Sequence, residues 1–296
     1  MADPTASPNV APLGPNVAPL GVEEYIEQGH FFAMLAERLA ENAPAQEVLA
    51  SAREEVLATT KLPMAIDFLL SELRHAGVMA TAVAKLDHYF TPLQAYIIHE
   101  GENERGRFDL RVGLEILSRE ANYRAGLHES SRGGPTVQGL FLYQFEVLCR
   151  NRLGYDKGLT AVAADPAYTP DWRDWILAMR HQVGMVDVAD LIYVQSEHAA
   201  KRDGQAAGAA LFGEQEGRIA LANRRKDPLY LFNSLHRQLG YPEPPRTHLP
   251  TEGENPIPAM ARRLEQLEKR TQLLEEEQRG GFDLSKFYEK PPASLD

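Results

Sequence analysis

Cysteine, tryptophan and long apolar runs are what this chain has least of. Its 296 residues hold one Cys and two Trp. A single Cys149 cannot close an internal disulfide, so the fold has to be held by packing. Within FLYQFEVLCRNRLG it reads as a small hydrophobe, in keeping with a reducing compartment. No stretch approaches the ~18 consecutive apolar residues of a membrane span, and the N-terminus has no basic start leading into an apolar core. The expectation is a soluble, cytoplasmic protein. Positive charge is also short: 31 Lys and Arg face 42 Asp and Glu, for a net charge of −11. Phosphate-backbone recognition relies on clustered cations, so a nucleic-acid partner is not expected. The one basic cluster, Arg224, Arg225 and Lys226, precedes Asp227-Pro228 and reads as a solvated loop rather than an anion site. A Gly-rich phosphate loop, a Gly-x-Ser-x-Gly elbow and a cysteine pair are all missing, which removes the best-marked nucleotide, hydrolase and zinc classes. Strand-like alternation is nearly absent too, Ile192-Tyr193-Val194 being its best instance.

What remains is helical. The densest apolar run, Thr169 to His198, holds both tryptophans, and the rest of the chain reads as packing around it. Thr169 and Pro170 mark a helix start, with Asp171 and Asp174 near the positive end of the dipole. Trp172, Trp175, Ile176, Met179 and Val183 then form one apolar stripe. From Met185 to Val194 the run is apolar on nearly every side, so its second half is expected to be buried. Proline recurs at helix starts, at Thr91-Pro92, Gly134-Pro135 and Asp227-Pro228. Glycine recurs at helix stops: the third helix runs until Gly77, and Gly154 and Gly240 are each expected to take the left-handed turn. Gly29 interrupts an otherwise good helix beginning near Glu23. The fold class is all-α, a multi-helix globular bundle.

Composition divides the chain into five parts. Residues 1–22 carry two copies of PNVAPLG and read as a disordered Pro/Gly-rich repeat serving as a spacer. Residues 23–241 form the globular helical domain, with 204–222 its least regular helix because of four glycines. Residues 242–256 are a Pro-rich linker. In 257–279, Ile257, Met260, Leu264, Leu267, Thr271 and Leu274 alternate steps of three and four, as in a coiled coil. Residues 280–296 form a flexible tail.

Candidate chemistry is sparse. Glu72 and His75 form Glu-x-x-His, the spacing that places both ligands on one face in di-iron bundles, and Glu27 with His30 repeats it. The two pairs fall on the first and third helices, not on the second and fourth as such a site requires. Asp187 and Asp190 would share a helix face, where a buried pair could supply a general acid. The structural alternative is that they meet a neighbouring Arg or mark the solvent edge. His181 lies on a different side of a straight helix. Trp172, Trp175, Phe141, Phe145, Tyr143 and Tyr193 read as core rather than as a ligand pocket. No catalytic or cofactor-binding residue and no metal or cofactor is assigned. The expected function is protein binding and assembly, as scaffold or adaptor, through self-association of 257–279 or another protein partner. The alternatives are a non-haem metal oxidoreductase using Glu72 and His75, and a small-ligand binding module.

Overall fold

A computed structural model describes residues 20–41, 43–103, 108–128, 134–202 and 210–246. All but the last two residues of the repeat, the Gly-rich start of 204–222 and the heptad segment 257–279 therefore lie outside the described residues. The chain divides into two units, 1–247 and 248–296, and everything described belongs to the first. Its helices are α1 (Val22–Ala40), α2 (Ala45–Glu55), α3 (Leu62–Ala76), α4 (Ala80–Lys85), α5 (Pro92–Glu102), α6 (Leu110–Arg124), α7 (Val137–Arg150), α8 (Tyr155–Ala163), α9 (Pro170–Met179), α10 (Val188–Val194), α11 (Glu197–Arg202), α12 (Glu214–Ala222) and α13 (Pro228–Leu239). Among the described residues no strand forms and no helix is long and apolar enough to cross a membrane. The protein is an all-α, multi-helix bundle.

Local chemistry accounts for several helix ends, although Thr169, at the N-cap of α9, makes no side-chain capping bond. Thr91 and Gln94 form a reciprocal capping box at α5, with Pro92 in the first turn. Asp227 accepts from Leu229 N at 2.9 Å and Pro228 opens α13. At α7 the cap is Thr136, which accepts from Gly139 N at 3.0 Å, so the helix begins after Pro135. Gly77 and Gly240 end α3 and α13 with φ of +73° and +63°. Gly154 does not follow this rule. Arg152 takes the left-handed turn after α7 (φ +54°), and Gly154, at φ −64°, precedes α8 instead.

The centre of the unit is α7, not the Trp-rich stretch. Every residue from Gly139 to Leu148 is buried, the signature of a helix enclosed on all sides. The stretch Thr169 to His198 is not one continuous helix. Helix α9 stops at Met179, Gly184 turns the chain at φ +88°, and α10 restarts at Val188. Met185 and Val186 are exposed in that turn, while Leu191, Ile192 and Tyr193 are buried as part of helix α10, not a strand. Gly29 is likewise more than a weak point. Helices α1 and α6 pack closely there, Ser118 Oγ donates to Gly29 O at 2.8 Å, and a Cβ on Gly29 would stand 2.3 Å from Asn122 Oδ1.

Folded structure continues past residue 241. Tyr241, Pro242, Pro244 and Pro245 are buried, and residues 241–246 cross the ends of α6 and α7 as an extended strap. Arg119 donates to Glu243 O at 2.7 Å, and Asn151 Nδ2 donates to Pro245 O at 3.1 Å. Proline suits this role because its fixed φ keeps the strap extended at low entropic cost.

Candidate functional site

The two Glu-x-x-His pairs are occupied elsewhere. Glu72 is paired with Lys85 of α4, and His75 is exposed. Glu27 is buried and accepts from Leu57 N at 2.9 Å, which fixes the turn after α2, while His30 is exposed. Among the described residues, no group of three or more His, Cys, Asp or Glu side chains is placed to hold a metal ion.

Asp187 and Asp190 do not lie side by side on one helix face. Asp187 is the N-cap of α10, accepting from Ala189 N at 3.0 Å and from Arg225 N at 2.6 Å. Asp190 meets Arg224 at 2.5 Å. The Arg224 guanidinium also lies 4.1 Å from the centroid of the Tyr193 ring, a cation–π contact. The basic cluster is thus a loop, as expected, but one docked on α10 rather than freely solvated. His181 is exposed beside Arg180. Phe141, Trp172 and Trp175 pack with Phe212, and Phe145 stacks on Phe141, the Phe141 and Trp175 centroids being 5.0 Å apart. Tyr143 faces another side of α7 and donates to Ile116 O at 2.7 Å.

The polar positions of α7 anchor two buried networks. Gln144 donates to Glu120 Oε1 at 2.8 Å and accepts from the Tyr168 hydroxyl at 2.6 Å. Arg124 bridges Glu120 and Asp165 in the same network, and all of these groups are buried. A guanidinium offers five donors in a fixed fork, so one Arg can hold two carboxylates from different segments. The second network forms farther along α7, around Glu146. It is paired with Arg150 and accepts from the Tyr241 hydroxyl at 2.9 Å. Burial pushes the Glu146 carboxyl above its usual range, against the pull of Arg150 and Tyr241.

This second network opens to solvent. A cleft of about 290 Å³ is lined by Glu146 and Arg150 of α7, Asn233, His236 and Arg237 of α13, and Glu243 of the strap. His236 and Glu243 also border a neighbouring cleft of about 530 Å³ that reaches Arg119, Asn122 and His128. Together these walls carry three arginines and two histidines against two glutamates, the reverse of the chain's overall balance. Arg150 is only 6% exposed and also pairs with Glu243 at 2.7 Å. That hydrogen bond holds the Glu243 carboxyl below its usual range. Burial pushes the His236 imidazole below its ordinary value. Glu243 opposes this, while His128, Arg150 and Arg237 add to it.

A second surface stands out by its apolarity. Of eleven exposed large apolar side chains among the described residues, five, Met185 (80% exposed), Val194 (66%), Tyr230 (63%), Leu229 (43%) and Val186 (40%), come from the α9–α10 turn, the end of α10 and the start of α13. Helices α10 and α13 pack together, and the Asp187–Arg225 hydrogen bond ties the turn to the loop before α13. Neither the cleft nor this edge was legible as local spacing, since each gathers residues from distant segments. Compared with models of protein families, with curated proteins and with solved structures, the chain matches none.

Proposed function

We propose that the protein acts by binding and assembly, its folded unit presenting the apolar edge of α10 and α13 to a second copy of the chain. The observation that carries this reading is the concentration of exposed Met185, Val186, Val194, Leu229 and Tyr230 on segments that pack together. Single exposed apolar side chains are ordinary, but several on segments packed together cost solubility unless something covers them. A self-complementary patch suits a two-fold dimer, the commonest oligomer. The long aromatic and Met side chains here supply contact area, as anchors at the centre of interfaces do. A catalytic reading has less support: the buried carboxylates Glu120, Asp165 and Glu146 are engaged by Arg124 and Arg150.

Sedimentation velocity on full-length protein over a wide concentration range tests the proposal. Wild type should self-associate, and Met185→Glu with Tyr230→Glu should shift the equilibrium to monomer without loss of helicity. A monomeric wild type at every concentration, or an oligomer indifferent to both changes, removes this edge from the reading.

A further inference from the structure

We infer that the groove holding the strap is a recognition site for a polyproline II peptide, and that the strap is a tethered ligand which a free segment of the same chemistry can replace. The site stands apart from the apolar edge and does not depend on assembly. Covalent geometry is the first reason. In YPEPPR, residues 241–246, every residue but the last is a proline or precedes one. Proline fixes its own φ at about −65° and pushes the residue before it towards extended or polyproline II backbone. The segment is therefore ordered in advance of any contact. Its burial has the matching period: Tyr241, Pro242, Pro244 and Pro245 are buried, while Glu243 and Arg246 are exposed. A polyproline II ridge repeats every three residues, so two of its edges face the protein and the third faces water.

The second reason is how the groove reads this ridge. A polyproline II segment has no internal hydrogen bonds, which leaves its carbonyls open to outside donors. Arg119 of α6 donates to Glu243 O at 2.7 Å, and Asn151, the C-cap of α7, donates to Pro245 O at 3.1 Å. Pro242 and Pro245 stand at the Pro-x-x-Pro spacing by which such preformed, low-entropy ligands enter grooves. Ahead of them the Tyr241 hydroxyl donates to Glu146 at 2.9 Å, and its ring meets His236 edge-on.

The third reason is that the strap is held as a ligand is held, by side chains and without a ladder. Among the described residues, no backbone–backbone hydrogen bond joins 241–246 to the helices. Clefts of about 290 and 530 Å³ flank the strap, and Glu243 borders both. Its sides are thus unpacked, and its release breaks local contacts only. Gly240, in the left-handed turn at φ +63°, supplies the pivot.

Fluorescence anisotropy on full-length protein with a labelled peptide of residues 242–250, PEPPRTHLP, tests this. Pro242→Gly, Pro244→Gly and Pro245→Gly in combination should free the strap, by removing its preorganisation, and leave Tyr241 in place. That variant should bind the peptide saturably. Wild type should bind it at least about tenfold more weakly, because its own strap competes at an effective concentration in the millimolar range. Arg119→Ala and Asn151→Ala, each added to the freed-strap variant, should weaken binding by about fivefold, the worth of one hydrogen bond. A peptide with alanine at its prolines 242, 244 and 245 should not bind. Circular dichroism monitors folding, and if the triple variant loses helicity, Pro244→Gly with Pro245→Gly takes its place. No saturable binding by the freed-strap variant, equal affinity in wild type, equal binding of the alanine peptide, or affinity unchanged by Arg119→Ala and Asn151→Ala overturns the assignment.

Discussion

Trp172 and Trp175 sit one helical turn apart in α9 and touch the same rings, yet they are not equivalent. The Trp172 ring lies 5.5 Å from Phe141, 5.8 Å from Tyr168 and 5.2 Å from Phe212. Its side chain is buried, whereas Trp175 is only partly buried against the same cluster. Truncating a fully buried indole costs about 3–5 kcal/mol, a large part of an ordinary domain's stability. Trp172→Ala should therefore destabilise strongly and Trp175→Ala by clearly less, both read from urea denaturation midpoints. Equal losses would mean that the two indoles share the cluster evenly. The sequence identifies both as one apolar stripe. It does not rank them: Phe141 and Phe212 touch both indoles, and only Trp172 also meets Tyr168.

At the scale of elements, helix α13 couples a local signal to a distant environment. Its start and stop are legible in Asp227-Pro228 and Gly240 because capping is decided within a few residues. The titration of His236 is not, since it is set by burial and by Glu243, His128, Arg150 and Arg237, with the Tyr241 ring at 5.2 Å. The same contrast explains Gly154. Its neighbours permit a left-handed stop, but Arg152 takes that conformation two residues earlier and the next helix begins at once. The buried networks are illegible for the same reason: Arg124 finds Asp165 at a separation of 41 residues. A lowered folded-state pKa for His236 means that the folded protein binds its proton less well than the unfolded chain. The stabilising contribution is present above the ordinary histidine value of about 6.5 and is lost as pH falls through the folded value. The denaturation midpoint should fall as pH drops from about 7.5 to about 5.5, and it should fall less in His236→Gln. Identical slopes in the two proteins would place the proton-linked loss on another group.

At the scale of the whole molecule, the proposed assembly would draw on both the apolar edge and the heptad segment. The heptad positions Ile257, Met260, Leu264, Leu267, Thr271 and Leu274 lie outside the described residues, so their part rests on pattern alone. A seam of about three heptads is marginal as an isolated helix, because nucleation is costly, and it gains stability only against another helix. Thr271 in the seam and the run Glu275-Glu276-Glu277 weaken self-pairing, so this contact is expected to be modest and concentration-dependent. Two weak contacts on one chain reinforce each other, since closing the first raises the local concentration for the second. Leu264→Glu with Leu267→Glu should therefore weaken the full-length oligomer about as much as the edge substitutions do. Combining both sets should leave a monomer at concentrations where either set alone still shows association. Light scattering across a concentration series decides the matter. If the heptad substitutions change nothing while the edge substitutions abolish association, assembly belongs to the helical unit alone and 257–279 is free to engage a different protein.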